Sequence, residues 1–142
     1  MKIQRIRDNA ILPEYQTDGA AGFDFHAANE QPLLIKSGKA ITVPTGIAVE
    51  IPRGYELQVR ARSGLAFKYN IGLVNGVGTI DSDLRGEISI RLINLGSEDF
   101  IIEPDMRIAQ GVVAKYERIN WQEVDKLSET TRGAAGFGST GQ

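Results

Sequence analysis

Asp81 and Asp83 stand two residues apart in Gly76-Val77-Gly78-Thr79-Ile80-Asp81-Ser82-Asp83-Leu84-Arg85-Gly86-Glu87-Ile88, directly after Asn75. Acids in a glycine-flanked turn are ordinary turn formers. A carboxylate at the end of an apolar strand, as Asp81 is after Ile80, can also orient and deprotonate an attacking water. A second cluster, Arg62-Ser63-Gly64-Leu65-Ala66, reads either as a surface turn opening a short helix or as a phosphate site. In the second reading, N–H groups and the Ser63 hydroxyl at a helix N-terminus face the anion and Arg62 adds its charge. Asp24 lies between Phe23 and Phe25. A carboxylate buried there must be paired, hydrogen-bonded or near a metal, and satisfying loop N–H groups is its structural alternative. Gln110, in Arg107-Ile108-Ala109-Gln110-Gly111, sits in an otherwise apolar strand, as a structural group or facing a ligand.

The last chemically loaded segment is Arg132-Gly133-Ala134-Ala135-Gly136-Phe137-Gly138-Ser139-Thr140-Gly141, with four glycines in ten residues. By composition it is a flexible end. Its content also fits a lid over a nucleotide triphosphate. Glycines let backbone N–H groups approach an anion, Arg132 offers a fork for phosphate oxygens, and Phe137 offers a stacking face.

These residues need a scaffold, and the periodicity of the chain is two. Glu87-Ile88-Ser89-Ile90-Arg91-Leu92, Glu56-Leu57-Gln58-Val59-Arg60 and Ile47-Ala48-Val49-Glu50-Ile51 each alternate, which predicts strands with one core face and one wet face. Turn residues recur at Asp18-Gly19, Ser37-Gly38, Pro44-Thr45-Gly46, Pro52-Arg53-Gly54, Leu95-Gly96-Ser97 and Pro104-Asp105. Many short strands at this spacing predict an all-β sandwich or barrel. One short helical turn is expected over Ser63–Lys68, with Ser63 as its N-cap. A single domain over residues 1–131 and a glycine-rich lid over 132–142 are the expected organisation.

Composition narrows the function classes. The chain has 142 residues, 42% apolar and 24% charged, enough for one folded core. A net charge of −2 gives no general attraction for nucleic acid or anionic lipid, so any polyanion must be met locally. The absence of cysteine excludes thiol nucleophiles, disulfides and thiolate metal sites. Met1 to Arg7 carry scattered charges without an apolar run, so no signal peptide and no membrane partner are expected. The expected location is cytoplasmic, or a nuclear or viral setting with the same solvent.

In their order along the chain, the five segments resemble the five signature motifs of the homotrimeric dUTPase family. They are Ala21-Gly22-Phe23-Asp24, Arg62-Ser63-Gly64-Leu65-Ala66, Gly78-Thr79-Ile80-Asp81-Ser82-Asp83, Arg107-Ile108-Ala109-Gln110 and the glycine-rich tail. The resemblance implies a distorted jelly-roll (β-clip) protomer and a homotrimer whose active sites are shared between chains. It implies hydrolysis of dUTP to dUMP and pyrophosphate with Mg²⁺, which limits uracil in DNA and supplies dUMP for dTMP synthesis. Asp81 then holds the catalytic water and meets the deoxyribose 3′-OH, and Gln110 lies near the α-phosphate. Asn75 with Gly78, Thr79 and Ile80 of the 73–79 hairpin region would read uracil. Arg62, Ser63 and Gly64 would contact phosphates, and Asp24 would reach the metal through water. Arg132, Ser139 and Thr140 with Gly138 would hold the γ-phosphate under Phe137 stacked on the base.

One position departs from the motif. The family usually has Tyr after the second acid, packed under the sugar; this chain has Leu84. Leucine keeps an apolar wall without the flat ring, so weaker rejection of UTP is expected. The alternative functions are a dCTP deaminase-like or bifunctional enzyme of the same fold, and a non-catalytic trimeric jelly-roll binding module. Asp81-Ser82-Asp83 together with the Phe-bearing tail favours dUTPase over a deaminase. A bare scaffold has no need of Arg62, Asp81, Gln110 and Arg132 together. The single histidine, His26, is read as a surface or packing residue, and Tyr116 and Trp121 as core or interface residues.

Overall fold

The computed structural model describes residues 1–136. Among them are eleven strands and one short helix, numbered in chain order. The largest sheet has the order β2 (Phe23–His26), β11 (Arg107–Lys115), β6 (Tyr55–Ala61), β8 (Val77–Ile80). A three-stranded sheet has the order β4 (Ala40–Pro44), β9 (Ser89–Asn94), β7 (Ile71–Leu73). Two ribbons complete it, β1 (Lys2–Arg5) with β5 (Ile47–Glu50), and β3 (Leu33–Ile35) with β10 (Phe100–Ile102). Every pairing is antiparallel. The all-β, jelly-roll-like expectation is met.

Alternation built most of this. In β6, Leu57 and Val59 are buried while Arg60 is exposed; in β9, Ile90 and Leu92 are buried while Ser89 and Arg91 are exposed. In β5 the pattern differs from expectation, because Ala48, paired with Gln4 of β1, is buried along with Ile47 and Val49. Strand β2 is buried on both faces at Phe23, Asp24 and Phe25, so it reads as no simple alternation. One core cluster takes Phe25 from β2, Leu57 from β6, Leu92 from β9, Ile35 from β3 and Ile102 from β10. Each such side chain contributes about 1.5–3 kcal/mol by leaving water. The packing is tight at Gly111, where an added Cβ would lie 2.4 Å from Cε2 of Phe23.

The helix α1 spans Ser63–Tyr69. Its N-cap is Arg62, with extended backbone and no side-chain cap bond, so Ser63 is the first helical residue and not the cap. The Arg62 carbonyl accepts from the Leu65 and Ala66 N–H groups, while its side chain is paired with Asp24. Asn70, left-handed at φ 56°, ends the helix, a conformation asparagine tolerates better than most residues. Beyond Tyr116, residues 117–136 form no strand and are exposed throughout. Trp121 is 90% and Leu127 81% exposed, which rules out a core role for Trp121 in this chain; Tyr116 is half-buried.

Candidate active site

The first cluster forms where β2, β11 and α1 meet. Asp24 is 4% exposed and sits between two guanidinium groups. Arg62 Nε lies 3.2 Å from one carboxylate oxygen, and Arg107 Nη1 donates to the other at 3.1 Å. Arg62 Nη1 also donates to the Arg107 carbonyl at 3.0 Å. A buried carboxylate is tolerable because both oxygens are paired, and two cations on one anion leave surplus positive charge facing outward. Gln110 is in register with Asp24 on one side and Arg60 on the other. Its side chain lies over Gly22, where a Cβ would come within 2.6 Å of Gln110 Cδ. The glycine is needed for this close approach. Ser63 and Gly64 sit exposed at the start of α1 beside Arg62.

Beside this cluster, His26 is half-buried, with Nδ1 buried and lacking a hydrogen-bond partner. Burial pushes its imidazole below the usual histidine range.

A second cluster is the tight β7–β8 connection, which is not the expected hairpin: β7 pairs with β9 and β8 with β6, so the turn passes from one sheet to the other. Its turn brings Gly76 to φ +69°, and Gly78 passes so close that a Cβ would sit 3.2 Å from Asn75 Nδ2 and 3.3 Å from Val59 Cβ. A cleft opens here, lined by Asn75, Gly78, Thr79 and Ile80 together with Ser89 and Arg91 of β9. The last two were assigned from sequence only to a wet face. Alternation tells which side of a strand a residue is on, and not which other sheet opens a cleft there.

The third cluster follows β8. Asp81, Ser82 and Asp83 line a shallow cleft with Glu56, Thr79, Tyr116 and Arg118. Leu84 is 40% exposed at the end of the Asp81 turn, and its N–H donates to the Asp81 carbonyl at 3.2 Å. Arg132 lies in an exposed turn, closed by the Ala135 N–H on its carbonyl. The assignments to Phe137, Gly138, Ser139 and Thr140 fall outside the described residues.

Register fixes how far apart these clusters are. Leu57 pairs with Ile80, which sets Asp81 opposite Glu56 near the start of β6, and Ala61 pairs with Ala109, so Arg62 lies just past its other end. Six residues of strand separate them by about 20 Å within one chain.

For a metal ion the donor set is poor. Both oxygens of Asp24 are occupied by arginines. Among the described residues no group of three or more His, Asp or Glu side chains is placed to hold a metal. These residues do not fit a resident protein-held ion.

Comparison with known proteins agrees with the motif order. A family model described as dUTPase matches residues 8–141. The deoxyuridine 5′-triphosphate nucleotidohydrolase of Rickettsia bellii is 59% identical over 143 residues, covering 99% of this chain and 95% of that protein. Its Rickettsia felis counterpart is 56% identical over 142 residues, covering 99% and 96%. Among solved structures, a Staphylococcus bacteriophage 80alpha dUTPase with dUPNHPP superposes with a TM-score of 0.86 at 26% identity, covering 99% of this chain and 98% of that one. With a family match over nearly its whole length and these relatives above half identity, the chain belongs to the dUTPase family.

Proposed function

We propose that this enzyme hydrolyses dUTP to dUMP and pyrophosphate through a water that Asp81 orients and deprotonates. The observation carrying this reading is the Asp81 turn at the end of β8, one strand-length from the cleft of Asn75 and Gly78 at the β7–β8 turn. A pyrimidine in that cleft places its sugar toward Asp81 and Leu84. The narrow passage at Gly78 disfavours the thymine methyl. Backbone and Asn75 groups match uracil's edge; a missed buried hydrogen bond discriminates more strongly than a methylene, which is worth about 1–3 kcal/mol.

The phosphates go to the other cluster. Arg62, with N–H groups of Ser63 and Gly64, binds them, and Asp24 fixes Arg62 in place through its ion pair. Gln110 lies on the same face and orients the α-phosphate. A divalent ion such as Mg²⁺, bound to the triphosphate as part of the substrate, offsets its charge against an acidic protein, with Asp24 able to reach it only through water. In-line attack then needs positioning and electrostatic stabilisation without a covalent intermediate.

Because about 20 Å of β6 separates Asp81 from Arg62, one chain cannot serve both ends of one phosphate ester. The reading therefore includes a homotrimer with sites shared between chains. The exposed 117–136 segment with Trp121 supports it, as an arm that lies on a neighbour. Residues 132–142 act as the lid, Arg132, Ser139 and Thr140 with Gly138 on the γ-phosphate and Phe137 on the base, over a domain of residues 1–131. No helix among the described residues is long and apolar enough to cross a membrane, and a cytoplasmic setting fits the substrate.

Pyrophosphate release from dUTP, dCTP, dTTP and UTP, with and without Mg²⁺, tests the reading. Turnover confined to dUTP, dependent on metal and lost in Asp81→Asn, is the expected result. Ammonia from dCTP, or no turnover of any nucleotide, would overturn it.

A further inference from the structure

The segment 81–87 joins β8 to β9 and carries both acids of the Asp81 turn. Its backbone has few anchors. The Leu84 N–H donates to the Asp81 carbonyl, and the next backbone bond along the chain is from Ile88 to Ile47. At the far end, Glu87 is held by Arg7 Nε at 2.7 Å and Nη2 at 2.9 Å, and by the Gly46 N–H at 2.8 Å. At the near end, one side chain does the holding. Arg85 Nη1 donates to the carbonyls of Ser82 and Leu84, both at 2.8 Å.

We propose that Arg85 is a positioning residue for hydrolysis, fixing the turn so that the Asp81 carboxylate keeps its aim on the water. The inference rests on the reading of Asp81 as the water-holding acid. An exposed arginine ordinarily ranges over many rotamers, and here its planar group is committed to two carbonyls of the turn that precedes it. The Ser82 and Leu84 carbonyls bracket Asp83, so their joint capture fixes the chain just after Asp81. Glu87 and Arg85 thus divide the work: Glu87 ties the loop to the N-terminal segment, and Arg85 sets the conformation of its catalytic end. The base cleft and the Arg62 cluster are built from other elements, so a looser turn leaves the base and phosphate contacts in place and gives up only part of the sugar contact at Asp81 and Leu84.

The test is steady-state hydrolysis of dUTP by wild type, Arg85→Ala, Arg85→Lys and Asp81→Asn. Misplacement of a catalytic group by about 1 Å costs up to about a hundredfold in rate. Arg85→Ala is expected to lose about tenfold or more in kcat with KM within about twofold, at unchanged melting temperature. Both bonds leave the single Nη1, which a lysine ammonium on its shorter stem can imitate in part, so Arg85→Lys is expected to lose less kcat than Arg85→Ala. Free guanidinium should restore part of kcat in Arg85→Ala and none in Asp81→Asn. Wild-type kcat in both Arg85 variants beside a dead Asp81→Asn would overturn the inference and leave the site reading standing. A loss carried wholly by KM, or one that follows the melting temperature, would overturn it too. An active Asp81→Asn would overturn the reading of Asp81 and the inference with it.

Discussion

Leu84 is where this chain departs from its family's motif, and it lies in the same turn as Asp81. A leucine wall has no partner for a 2′-OH but lacks the breadth of a ring. Leu84→Tyr is expected to raise the dUTP over UTP ratio of kcat/KM by about tenfold, the scale of one modest contact; an unchanged ratio would remove Leu84 from the sugar site. Asp24 is the opposite case, a residue whose partners were hidden in the sequence. Its flanking phenylalanines announced burial, but Arg107 is 83 positions away and meets it only because β2 and β11 pair. Asp24→Ala leaves two arginines facing one another and is expected to cost about 3–5 kcal/mol of stability by denaturant unfolding. His26 adds a pH dependence. Its folded pKa is depressed, so the unfolded chain binds its proton more readily. Stability should therefore fall as pH drops from about 6.5 through the folded value, and His26→Gln should flatten that limb.

The strands were the most legible elements, because alternation in β6 and β9 records which face meets the core. The cap of α1 was not, since Ser63 is the better capping residue by type while the backbone turns helical one residue earlier, on the carbonyl of Arg62. Nor was Gly111 distinctive in sequence; only the pairing of β11 with β2, which sets Gly111 opposite Phe23, brings the ring against it. A methyl group there has no room, and Gly111→Ala is expected to cost about 1–3 kcal/mol through forced movement of Phe23. The clasp between Arg7 and Glu87 belongs at this scale as well. The hydrogen bond from Arg7 holds the Glu87 carboxyl below its usual range, so the clasp's contribution is present above about pH 4.5 and lost on further acidification.

For the molecule as a whole, the separation of Asp81 from Arg62 has a direct consequence. If a site takes Asp81 from one chain and Arg62 from another, two dead variants can repair each other. Asp81→Asn and Arg62→Ala, unfolded and reassembled together, are expected to recover about a quarter of wild-type activity, the chance that a site draws an intact residue from each chain. No recovery would place both residues in one chain's site. Removal of residues 132–142 is expected to abolish turnover and leave assembly intact, measured by light scattering beside the activity assay.

The solvent-facing indole described above has a practical use. The chain contains a single tryptophan, Trp121, and it lies in the 117–136 segment, which forms no strand and is exposed throughout. Indole emission moves to shorter wavelength when water is excluded. Every photon of tryptophan fluorescence from this protein therefore comes from the arm. If the arm lies on a neighbour as in the proposed trimer, dilution toward monomers should shift that emission to the red without any label, giving a spectral readout of the association constant.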